Sequence, residues 1–90
     1  MTKMTKEYYK AEAIADVNKV ANDAKSEIDG FDVNKVTDYV KIVAKSNIDN
    51  AVTEAKAAID SATSKERINK AKNEAIDKIK IEVEKIRPTS

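Results

Sequence analysis

The chain has 90 residues, 17 of them Lys or Arg and 16 Asp or Glu, with no His, no Cys, one Gly and one Pro. Without His or Cys it lacks the imidazole base, the thiolate nucleophile and the usual zinc ligands, and a single glycine cannot build a phosphate-cradling loop or a dinucleotide fingerprint. A formal charge of +1 denies it the one-signed surface that gathers nucleic acid or an anionic membrane, so no catalytic residue, cofactor or metal is assigned and nucleic acid is not expected as a partner. No apolar run approaches the roughly 20 residues that cross a bilayer, so membrane insertion is not expected either.

Residues 1–4 are expected to be a disordered start, 5–87 a single bundle and 88–90 a linker. The opening "MTKMTKEYYK" has lysines but no apolar stretch behind them, and reads as a mature or excised start rather than a secretory signal. From Thr5 to Asp29, the residues Ile14, Val17, Ala21, Ala24 and Ile28 recur at alternating steps of three and four, which puts them on one helical stripe. Gly30 is predicted to end this helix in a left-handed conformation, with Phe31 closing that end of the core. A second helix is predicted to start near Asp32, whose carboxylate caps free amides, and to carry Val33, Val36 and Val40 forward to about Ser61. In "TSKE", Thr63 and Glu66 have the spacing of a capping box for a third helix. Its stripe is Ile68, Ala71, Ala75, Ile79, Val83 and Ile86, and Pro88 ends it.

Three long helices joined by tight turns must run antiparallel. The predicted fold is an all-α, elongated, up-down-up three-helix bundle. The alternative is a break at "SNIDN" (46–50), a run of mediocre helix formers, which would give four shorter helices.

One phrase recurs along the chain: "AKSEID" (24–29), "AKSNID" (44–49), "AKAAID" (55–60) and, with an extra residue, "AKNEAID" (71–77). Its Ala and Ile lie four apart on one helical face, and its Lys and Asp four apart on the adjacent one. Small and branched side chains alternating along a seam let helices approach closely and fill the remaining gap. The flanking pairs Lys25–Asp29, Lys45–Asp49 and Lys56–Asp60 are expected to form within their own helices, each contributing about 0.2–0.5 kcal/mol. The phrase is read chiefly as a packing unit.

Among the tyrosines, Tyr9 and Tyr39 lie near apolar stripes and are expected to close the bundle ends with their hydroxyls in water. Tyr8 is the freer residue and the one candidate for contact with a partner. Over residues 62–90, eight basic residues against five acidic ones describe a solvated helix surface rather than a nucleic-acid face. Glu82 and Glu84, two apart, point in different directions on a helix and do not make a metal site.

The segment "AKAAIDSATSKERINKAKNEAIDKI" (55–79) resembles the helical repeats of very large wall-anchored adhesins of Gram-positive bacteria, the matrix-binding repeat family of staphylococci and streptococci. The likeness is weaker over residues 11–30 and absent over the first ten. A more distant likeness is to the albumin-binding three-helix module, carried by "SATSKERINKAKNEAI"; none of that module's binding residues maps onto this chain. The resemblance implies an internal, monomeric and non-enzymatic module of an extracellular protein of the bacterial cell wall, acting as a spacer with neighbouring tandem modules as its partners. The alternative is a binding module for a host protein such as albumin, immunoglobulin or fibronectin. Such a module should expose apolar or aromatic residues clustered on one helix pair, and no such cluster is obvious from the sequence.

Overall fold

A computed structural model describes the backbone of residues 2–88 and the side chains of residues 6–88. The described residues form three helices, α1 (Thr2–Asp29), α2 (Asp38–Ser61) and α3 (Lys65–Ile86). They pack side by side into an up-down-up rod with principal extents of 53 × 19 × 15 Å. No described helix is long and apolar enough to cross a membrane.

The core follows the predicted stripes. Val17, Ile28, Ile48, Ile59, Ile68 and Ile79 are fully buried, and alanines such as Ala21, Ala44, Ala55 and Ala75 are buried between them. Each branched side chain removed from water contributes about 1.5–3 kcal/mol, while the alanines keep the helix axes close. In the fourth phrase the extra residue moves the pattern along: Ala75 and Ile79 supply the buried pair, and Ile76 is half-buried.

Contacts at the two ends fix where the chain comes in and goes out. Near the start of α1, Lys10 Nζ donates to the Asp60 carbonyl at 2.8 Å, and Lys65 Nζ lies 4.6 Å from the centre of the Tyr9 ring. This N-terminal pole also holds the α2–α3 turn. At the opposite C-terminal pole, Arg87 Nη2 meets Glu27 at 2.7 Å and its guanidinium lies 5.8 Å from the Phe31 ring.

Several expectations need correcting. Helix α1 begins at Thr2, so residues 2–4 are its first residues rather than an irregular lead-in. Gly30 does not take a positive φ; its amide reaches the Ser26 and Glu27 carbonyls, both at 3.1 Å, and the chain continues without the left-handed cap. The second helix starts at Asp38, not near Asp32. Asp32 instead accepts from the Asn34 amide at 2.9 Å, while its carbonyl accepts from the Lys35 and Val36 amides, which spends it on a local turn. Thr37 becomes the cap, accepting from the Val40 amide.

The third helix is capped by Ser64, whose Oγ accepts from the Arg67 amide at 3.2 Å, one residue beyond the predicted Thr63. Residues 46–50 do not break α2. There Ile48 is fully buried and the Asn47 amide group donates to Glu82 on α3, so tertiary packing overrides weak propensity. Of the predicted linker, Pro88 follows the end of α3, and Thr89 and Ser90 lie outside the described residues.

The expected pairs of Lys25 and Lys45 cross between helices instead of closing within them, and the expected Lys56–Asp60 pair is not among the ion pairs of the described residues. Lys25 Nζ reaches Asp49 Oδ1 at 2.8 Å and Lys45 Nζ reaches Asp29 Oδ1 at 2.7 Å. Two copies of the phrase, running in opposite directions on α1 and α2, exchange charges reciprocally.

Candidate functional site

Four of the large exposed apolar side chains lie on the first turns of α2. Tyr39, Val40, Ile42 and Val43 on α2, Ile81 on α3 and Val33 in the α1–α2 loop all stand in solvent, Tyr39 with 75% of its surface exposed. Tyr39 therefore does not close the bundle end. It falls on the outer side of α2, whose core-facing stripe runs through Lys41, Ala44, Ile48, Ala51, Ala55 and Ile59.

Lys41 is 9% exposed. Its ammonium donates to the Phe31 carbonyl and, at 3.4 Å, to the Asp29 carbonyl. These lie at and just beyond the C-terminus of α1, where the helix dipole and the free carbonyls favour a cation. The stem of the lysine is thus buried and its charge used, and the neighbouring apolar residues are left on the surface.

Beside this cap lies a groove of about 580 Å³ with Val36, Val40, Ile86 and Pro88 on its walls and Lys35 and Lys85 among its polar residues. A second hollow of about 280 Å³, between α2 and α3, shares Val40 and Ile86 with it and extends the apolar surface to Tyr39 and Val43. The α1–α3 groove is larger than this second hollow, at about 510 Å³, but Arg87 on its rim is tied to both Glu27 and Glu84. An apolar floor with an amphipathic rim suits contact with another protein surface. Among the described residues no cluster of carboxylates is placed to hold a metal ion.

Tyr8, the predicted contact residue, is 64% exposed and lies at the other pole, away from Tyr39. Its ring meets Tyr9 edge-on with centroids 5.8 Å apart, while Tyr9 is half-buried against the core as expected. The Glu12 carboxylate, hydrogen-bonded to the Tyr8 hydroxyl, pushes that phenol above its ordinary pKa. The structure does not bring Tyr8 and the α2–α3 patch together within one copy. The patch did leave a trace in the sequence: "YVKIV" (39–43) carries more apolar side chains than one helical stripe can bury.

Residues 9–86 match the family described as Domain of Unknown Function (DUF1542). The chain belongs to this family. DUF1542 is a repeat domain of Gram-positive surface proteins. No curated protein and no solved structure matches the chain. The DUF1542 segment takes in the N-terminal pole contacts and the exposed apolar residues of α2 and α3, starts immediately after Tyr8 and ends one residue before Arg87, which makes the C-terminal pole contacts.

Proposed function

We propose that this chain is a non-catalytic spacer repeat of a Gram-positive cell-surface protein, one unit in a string that holds another part of that protein away from the wall. The observation that carries this reading is the odd helix count, with α1 starting at one pole of a 53 Å rod and α3 ending at the other. Copies joined in series then extend head to tail. An even count would return the chain to its starting pole and make each copy a side branch. The Ala-Ile seam supports the same reading, since it devotes the repeated phrase to packing. Small-angle scattering on one, two and three joined copies tests it: the maximum dimension should rise by roughly 40–50 Å per copy, the span of a helix of this length. Growth only as the cube root of mass would refute it.

A second reading, a binding module for a host protein, is favoured by the hollow between α2 and α3, where the exposed Tyr39 and Val43 stand beside Val40 and Ile86. Immobilised albumin, immunoglobulin and fibronectin should then retain the chain, and Tyr39→Ser should release it.

A further inference from the structure

We propose that the outer face of α2 is a self-association surface, on which α2 of a second copy of this chain packs antiparallel. Opposite the buried stripe that runs from Lys41 to Ile59, the helix carries Tyr39, Val43, Ser46, Asn50, Thr53 and Ala57, all exposed. Their steps of four, three, four, three and four are those of a coiled-coil seam. None of the six is charged, in a chain of which 37% is Asp, Glu, Lys or Arg. The outward faces of the other two helices are the ordinary case: Glu12 and Lys19 interrupt that of α1, and Glu66, Lys70, Asp77 and Glu84 cover that of α3. Ser46, Asn50 and Thr53 are also weaker helix formers than the usual Glu, Lys or Gln of a solvated face, and the core of the module makes no use of them. The Thr53 hydroxyl already donates to the Asp49 carbonyl at 3.1 Å, so covering it leaves no donor unpaired.

That the occupant is a second copy follows from the order of the stripe. Its large side chains, Tyr39 and Val43, stand at one end and its small ones, Thr53 and Ala57, at the other. A two-fold contact needs a surface complementary to itself, and an antiparallel pair centred between Ser46 and Asn50 meets that need. Tyr39 faces the partner's Ala57, Val43 faces the partner's Thr53, and Asn50 faces the partner's Ser46, an amide and a hydroxyl that hydrogen-bond twice about the axis. Charge also selects this direction. A parallel pair would place Asp49 beside the partner's Glu54, acid against acid on both flanks. The antiparallel pair sets Glu54 beside the partner's Val40, and the Asp49 carboxylate nearest the axis is held by Lys25 of its own chain at 2.8 Å. From Tyr39 to Ala57 the seam is about 27 Å long and one helix diameter, about 10 Å, wide. This lies below the roughly 1,200 Å² of stable complexes, so the contact is weak, with a dissociation constant of about 0.1–1 mM.

The test is sedimentation equilibrium of the full chain over concentrations that bracket that constant. The chain should pass from monomer to dimer. Val43→Lys and Thr53→Glu each alter an exposed position, so circular dichroism should show both variants folded, and each alone should associate at least about tenfold more weakly than the unaltered chain. Because the antiparallel register sets residue 43 against residue 53 of the partner, an equimolar mixture of the two variants should recover the lost association, Lys pairing with Glu across the seam. A chain that stays monomeric at millimolar concentration, association untouched by Val43→Lys, or a mixture that associates no better than its components would overturn the proposal. So would a monomeric chain retained by albumin, immunoglobulin or fibronectin and released by Tyr39→Ser, which would give the stripe to a host protein. The span of joined copies reads the spacer proposal separately, and neither result decides the other.

Discussion

Lys25 on α1 pairs with Asp49 on α2, twenty-four residues away, and not with Asp29 in its own phrase. The choice follows from register. Ala24 and Ile28 pack in the same core as Ala44 and Ile48, so the adjacent Lys and Asp of each copy are carried to the edge of the seam, where the partner helix offers the opposite charge. All four groups remain partly solvated, so the exchange sets alignment more than it adds stability.

A double-mutant cycle should show this crossing directly. Lys25→Ala combined with Asp49→Ala should give a coupling of about 0.2–1 kcal/mol in urea unfolding, decreasing with added salt. The cycle of Lys25→Ala with Asp29→Ala should give a coupling near zero. A larger coupling within the helix than across it would contradict the register described.

Gly30 offers a test of backbone conformation. Its φ is not positive, and an added Cβ would approach the Glu27 carbonyl oxygen no closer than 3.4 Å. Gly30→Ala should therefore stabilise the fold by about 0.4–1 kcal/mol by restricting the unfolded chain. A left-handed cap at this position would give a loss instead, read from the midpoint of a denaturant titration.

Core and flank of the repeated phrase should separate cleanly at one helical turn. Ile59 is fully buried and Lys56 exposed. Ile59→Ala should cost about 2–5 kcal/mol, whereas Lys56→Ala should stay within about 0.5 kcal/mol. Because both positions share one helix, a reversed order would mean that the phrase serves recognition rather than packing.

Lys41→Met keeps the buried stem and removes the ammonium. The Phe31 and Asp29 carbonyls would lose their donor, at a cost of about 1–3 kcal/mol. The same variant should speed amide exchange in the loop of residues 31–37 more than elsewhere. Unchanged stability would show that water serves those carbonyls as well as the lysine does.

The helices and their stripes were legible because Ala and Ile at steps of three and four leave little choice of face: Ile28, Ile48, Ile59 and Ile79 are buried as the spacing requires. What escaped the sequence depends on distant partners. Lys41 occupies a core-facing position that pattern counting reserves for apolar residues, because its charge is satisfied by carbonyls ten and twelve residues earlier. Val33 and Val36 continue a plausible stripe, yet Asp32 turns the chain locally, leaving Val36 buried and Val33 in water. The crossed ion pairs had equally good partners within each helix, and only the antiparallel register selects between them. Of the candidate surface, Tyr8 is recognisable from its position outside the stripe, whereas Tyr39 lies near an apolar run and its exposure follows only from the phase of the buried stripe through Lys41 and Ala44.

The placement of the two chain ends at opposite poles also decides how the fold would meet a mechanical load. A pull on a tethered string acts along the helix axes, so α1, α2 and α3 are loaded in shear, with the Ala-Ile seam resisting as a whole rather than unzipping layer by layer. Once the seam yields, the 90 residues extend to about 300 Å from a folded length of 53 Å. Each copy is then a sacrificial link that lengthens several-fold before the covalent chain bears the strain. Single-molecule pulling on joined copies should record this as equal steps of about 250 Å, one for each module.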